Sequence, residues 1–138
     1  MITFSVDGVP VGQGVLRQSK YGYTYEASKG HKAWRAAVMA KATEAWGGAE
    51  PWLGPVGVVA IFAFPYPLKY LTTLGEPKTG APYYKITRPD TDHLIRSIGD
   101  ALVRAGCMKD DNQIAHWDAL KVYGKAPSAL LTIRALEE

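Results

Sequence analysis

The chain has 138 residues, 47% of them hydrophobic, with a formal charge of +3 and a pI of about 9.0, which suits one domain with a core and is too weakly basic to identify a nucleic-acid partner. A single cysteine, Cys107, rules out an internal disulfide and a cysteine-based zinc site. No uncharged apolar run reaches membrane-spanning length and Met1 to Asp7 lacks the basic-then-apolar order of a signal peptide, so a soluble cytoplasmic protein is expected.

Ile2 to Val6 alternates as a first strand. Gly8 to Gly22 is glycine-rich, carries Arg17, Lys20 and Tyr21, and reads as a flexible arm unless a partner orders it. Ser28 offers an N-cap for an alanine-rich helix that runs to about Trp46 and stops at Gly47-Gly48. Val56 to Phe64, bounded by Pro55 and Pro65, is apolar throughout. It predicts a strand covered on both faces, by helices or by a second subunit. Pro65 to Pro89 holds five prolines and several lysines and reads as a long loop, of the kind that serves binding or is mobile.

A second helix is predicted from Thr91 or Asp92, with Leu94, Ile95, Ile98, Ala101, Leu102 and Ala105 on one face and Gly106 ending it. Strands near Gln113 to Tyr123 and Ala129 to Leu136 follow, joined by a turn with Gly124 and Pro127. The expected fold is one compact α+β domain over residues 1–138, a mixed sheet with two main helices in the order strand, helix, strand, helix, strand, strand.

Acidic residues gather around the second helix. Asp90 and Asp92 stand where a loop meets its N-terminus, and Asp110 and Asp111 follow its C-terminal link. Ionised carboxylates packed together repel one another, and a divalent cation reverses that cost; hard oxygen donors suit Mg²⁺ or Mn²⁺. Such an ion can activate a water and stabilise charge on a phosphodiester. The competing readings are structural: an Asp-x-Asp at a helix start can be a cap, and Asp-Asp-Asn can be a turn. Only a chain that doubles back could bring position 111 to positions 90 and 92.

The run Pro89-Asp90-Thr91-Asp92-His93-Leu94, then Asp100-Ala101-Leu102, Gly106 and Lys109-Asp110-Asp111-Asn112-Gln113-Ile114 resembles the signature of the RusA-type Holliday junction resolvases. Gly8 to Gln13 with Arg17, Tyr25 to Trp34, Phe64-Pro65 and Lys121-Val122-Tyr123 are similar to flanking parts of that family. The resemblance implies a homodimeric, Mg²⁺-dependent endodeoxyribonuclease that nicks opposed strands of four-way junctions in DNA recombination and repair. It carries the metal-binding role onto Asp90, Asp92 and Asp111, with Asp110 as the neighbouring acid. Two positions depart from the family. His93 stands where the family has Asn, and can keep a hydrogen bond or join the metal. Arg96 stands where it has a functional Lys; it preserves positive charge as a planar fork rather than a point charge. Asp92, Arg96, Asp100 and Arg104 also recur every four residues, as a self-paired solvated face would.

Junction binding needs phosphate contacts over a wide surface. Candidates are Arg17, Lys20, Lys69, Lys78, Arg88, Lys121 and Lys125, with Tyr21, Tyr23, Tyr66 and Tyr70 available for stacking or for packing. Strand 56–64 with Trp46 or Trp52 is a candidate dimer interface or part of the core. Alternative readings are a non-catalytic nucleic-acid-binding relative of prophage origin, or a metal-dependent nuclease acting on forks, flaps or single strands.

Overall fold

A run of nine uncharged residues, β4 (Val56–Phe64), lies inside a four-stranded sheet of order β1-β6-β4-β5. The other members are β1 (Ile2–Asp7), β5 (Ile114–Tyr123) and β6 (Ser128–Ala135). β4 runs parallel to β5 and antiparallel to β6, and β1 is antiparallel to β6, so the sheet is mixed. A parallel pair needs a crossover, and the long segment between β4 and β5 supplies it with α2 (Thr91–Arg104). The computed structural model describes residues 1–14, 16–18, 20–22, 24–26 and 30–137, without the side chains of residues 16–18 and 24–26.

Side chains alternate across β4. Val56, Val58, Ala60, Phe62 and Phe64 are at most 3% exposed. They meet Ala129, Leu131 and Ile133 of β6 and the buried faces of α1 (His31–Trp46) and α2. On the opposite face Val59, Ile61 and Ala63 stay half-buried. Within one chain the helices therefore cover one side of β4 rather than both. Only the core-facing set collects the full hydrophobic gain, about 1.5–3 kcal/mol per large side chain.

α2 is buried along Leu94, Ser97, Ile98, Gly99, Ala101 and Leu102, a wider stripe than Leu94 to Ala105 at helical spacing suggested. The reason is that two surfaces press on it. On one side His31 of α1 meets Ser97 (Nε2 to Oγ, 3.2 Å). On the other, Asp111, Ile114 and Trp117 close over Gly99. The sequence-expected Ser28 cap lies outside the described residues; the cap position before His31 is Gly30, in the left-handed region at φ 80°. β2 (Leu16–Gln18) in the glycine-rich arm pairs antiparallel with β3 (Thr24–Glu26) just past it, a pairing that the composition did not announce.

The proline-rich stretch 65–89 is more ordered than a plain loop. It holds a 3-10 turn at Leu68–Tyr70 and a bridge between Leu71 and Pro77. Tyr84 pairs with Val122, while the Lys85 amide donates to the Lys121 carbonyl and the Tyr123 amide to that of Tyr83. Residues 83–85 thus cover the C-terminal half of the outer β5 edge. Ala115 to Ala119 have no further main-chain neighbour on that edge among the described residues.

Candidate active site

The first turn of α2 carries the acidic pair. Asp90 occupies the N-cap position with an extended backbone, yet its side chain makes no capping hydrogen bond. Ligand atoms of Asp90, Asp92 and His93 all lie within 4.8 Å of one another. Both carboxylates are exposed and His93 is partly buried. The His93 Nε2 to Asp92 Oδ2 separation, 3.9 Å, is too long for a hydrogen bond. Two carboxylates and an imidazole of this kind can hold a hard divalent cation.

Three anchors hold this turn. The Lys121 amine donates to the carbonyls of Thr87 (2.8 Å) and Pro89 (2.9 Å), tying the approach to Asp90 onto β5. Partial burial, with Lys85 nearby, pushes the Lys121 amine below its ordinary pKa, and Asp90 pulls the other way. The Lys85 amine donates to the Thr87 hydroxyl at 2.8 Å. From the opposite side the Gln13 amide donates to the His93 carbonyl at 2.9 Å. There Gly12 passes so close that a Cβ would stand 2.8 Å from the His93 Cβ.

The second acidic pair splits into two roles. Asp110 caps the 3-10 turn Asp111–Gln113: its carboxylate accepts from the Asn112 amide at 2.8 Å. Gln113 reciprocates, with its Oε1 accepting from the amides of Lys109 and Asp110 and its Nε2 donating to the carbonyls of Trp52 and Gly54. Asp111 keeps an exposed side chain with no hydrogen bond or ion pair to the described residues. Its Cβ rests 3.5 Å from where a Gly99 Cβ would be. Gly99 is seven residues beyond Asp92, so Asp111 sits over the same face of α2, about two turns or ~10 Å along the axis. The chain does double back along α2, and Asp111 stands outside the tight group of Asp90, Asp92 and His93.

Arg96 lies between these two positions, one turn past Asp92. The charged stripe is only half self-paired: Asp100 accepts from Arg104 at 3.0 Å and from Arg35 at 3.3 Å, whereas Arg96 is exposed and bonds none of the described residues. Arg88 is likewise exposed and uncommitted. Among the other basic candidates, Lys20 and Lys69 lie over the rings of Tyr21 and Tyr70, and Lys125 pairs with Glu76. Lys78 is exposed. The Arg17 side chain and all of Tyr23 lie outside the described residues. Tyr66 and Tyr70 pack against Tyr123, and Trp46 meets Trp52 edge-on at 4.7 Å. Cys107 is buried in the core, its thiol pushed up to about 11 by desolvation, the environment of an unreactive structural cysteine.

Gly12, Gly99, Thr87 and Lys85 are site-building residues that sequence reasoning passed over. Gly99 had a signal, as a glycine within the helix next to its apolar face. Gly12 had none, because one glycine among several in the arm does not stand out. A family model described as Endodeoxyribonuclease RusA matches residues 7–134 of the chain. No curated protein matches it.

Proposed function

The chain belongs to the RusA endodeoxyribonuclease family, and from that premise we propose that it is a divalent-metal-dependent endonuclease that resolves four-way DNA junctions by paired nicks. One observation carries the metal-site reading: Asp90 and Asp92 converge at the start of α2 with neither carboxylate spent on a hydrogen bond. Idle carboxylates at this spacing repel one another unless a cation is shared. The donor set fits Mg²⁺, with Mn²⁺ as a substitute. When bound, the ion would activate the attacking water and offset charge on the scissile phosphodiester.

Each residue then has a task. Asp90 and Asp92 hold the ion, and Asp111 supplies the third carboxylate that the family pattern implies. Arg96 is uncommitted one turn from Asp92 and faces the phosphate as the counter-charge. Lys121 and Gly12 position the turn from either side. Arg88 beside the site, with Lys69, Lys20 and Arg17 further out, contacts the DNA backbone. Two symmetric cuts call for two sites related by a two-fold axis, hence a homodimer. A cellular role in DNA recombination or repair is the one such a substrate gives, and a bacterial or phage setting is the one the family resemblance implies.

The test is to incubate synthetic four-way, forked and linear duplex DNA with Mg²⁺ and compare wild type with Asp92→Asn. Paired nicks on the junction alone are expected, with the variant binding the junction but not cutting it. Cutting that survives in Asp92→Asn would remove the metal assignment. Wild type that binds without cutting would leave a non-catalytic junction binder.

A second reading of the third ligand rests on the tight grouping of His93 with the two aspartates. Calorimetric titration with Mg²⁺ and Mn²⁺ separates the two. If Asp111 is the ligand, Asp111→Asn weakens binding by an order of magnitude or more while His93→Asn changes it little; the reverse pattern makes His93 the ligand.

A further inference from the structure

The ordered stretch 65–89 and the end of β5 enclose a groove of ≈ 630 Å³, a volume typical of ligand sites. Its walls include Lys69, Tyr70, Tyr83, Tyr84, Ile86 and Tyr123. Three of these are unusually bare for their chemistry: Tyr83 is 56% exposed, Tyr84 59% and Ile86 92%. Clustered apolar exposure of this kind marks a surface that something covers.

Charge says what covers it. Lys69 lies in the wall, Lys85 spans the rings of Phe64 and Tyr123, and Arg88 stands free beside the rim. No acidic side chain is among the described residues that line it. A flat, electron-rich ring system bearing phosphate fits aromatic faces set among cations; an ordinary apolar peptide gains nothing from the lysines. The groove adjoins the candidate active site along the chain. Thr87 belongs to its wall, three residues before Asp90, and Lys121 fastens Thr87 and Pro89 to β5. The floor is preformed, since residues 83–85 are hydrogen-bonded to the β5 edge.

We propose that this groove receives an unstacked nucleotide of the DNA next to the scissile phosphate that Arg96 faces, its base against Tyr83 and Tyr84, with Ile86 wedged where the stack opens. This rests on the endonuclease reading. An exposed β-branched side chain inserted between bases is a known way to open a step, and each aromatic contact to a base strengthens binding about tenfold.

The experiment uses a single-stranded tetranucleotide and a four-way junction, each bearing 5-iododeoxyuridine, in EDTA so that nothing is cut. After irradiation the cross-linked peptide is mapped by mass spectrometry, and affinity is measured for wild type, Tyr84→Ala and Ile86→Ala. Both replaced side chains face solvent, and circular dichroism checks that the variants remain folded. Cross-links within residues 83–86, and affinity about tenfold weaker in Tyr84→Ala, are expected. Cross-links elsewhere with unchanged affinities would overturn the groove assignment, and continued junction cutting in Mg²⁺ would show that the nuclease reading survives it. Sedimentation that shows a wild-type dimer dissociated by Ile86→Ala would also overturn it, by making the groove a contact between copies. Cross-links at 83–86 in a protein that never cuts would sink the nuclease reading instead and leave the groove as a nucleotide site.

Discussion

Two glycines shape the candidate site, and they do it with different tolerances. At Gly12 a Cβ would meet the His93 Cβ at 2.8 Å, nearer than van der Waals contact allows, so the segment or the α2 turn must move. Gly12→Ala is expected to destabilise the fold by about 1–3 kcal/mol in urea denaturation and to weaken Mg²⁺ binding with it. At Gly99 the corresponding contact to Asp111 is 3.5 Å, ordinary packing, so Gly99→Ala should cost little in the same measurements. Equal losses in both would show that the arm-to-helix contact has no special place. The acidic residues show what sequence can and cannot say about single positions. The convergence of Asp90 with Asp92 at the start of α2 was legible. The division by which Asp110 is consumed as a cap while Asp111 stays idle was not, because it depends on the backbone torsions of a three-residue turn.

α2 was the most legible element. Pro89 before it, apolar residues at helical spacing and Gly106 after it fixed both ends, and it runs Thr91–Arg104 as these signals require. The β2–β3 pairing was not legible, since three-residue strands in and just past a glycine-rich arm leave no alternation to read. The width of the α2 contact was also hidden: Ser97 and Gly99 are buried by neighbours more than ten residues away in sequence. Lys121 belongs to the same class. Its flanking alternation announces a strand, while its partners, the Thr87 and Pro89 carbonyls, are more than thirty residues earlier. Lys121→Met keeps the stem and removes both hydrogen bonds. In this half-exposed place that should cost about 1 kcal/mol and lower Mg²⁺ affinity severalfold, with an unchanged far-UV circular dichroism spectrum. An unaltered metal affinity would mean that Thr87 to Asp90 hold their course without it.

The molecule builds its site from segments far apart in sequence: the arm at Gly12 and Gln13, the stretch Thr87 to Arg96, the turn at Asp111, and Lys121 of β5. Both helices lie on one side of the sheet, and on the other side Val59 and Ile61 stay half-buried and Leu130 exposed among the described residues. Membership of one layer or another was predictable from the apolar run of β4; the one-sidedness was not, because a strand apolar on both faces can be covered by helices or by another chain. None of the helices among the described residues is long and apolar enough to cross a membrane.

The half of the β5 edge that no other described residue pairs with has a cost of its own. A bare row of amide and carbonyl groups is a template on which a neighbouring molecule can add a strand, and the usual defence is polarity along that row. His116 and Asp118 stand there, exposed, on either side of Trp117. Asp118→Val would strip that defence from a strand already rich in Ala, Val and Leu, and faster aggregation on warming, followed by light scattering, should result before any change in the folded spectrum. Colloidal behaviour and the anchoring of the candidate site by Lys121 thus share one strand.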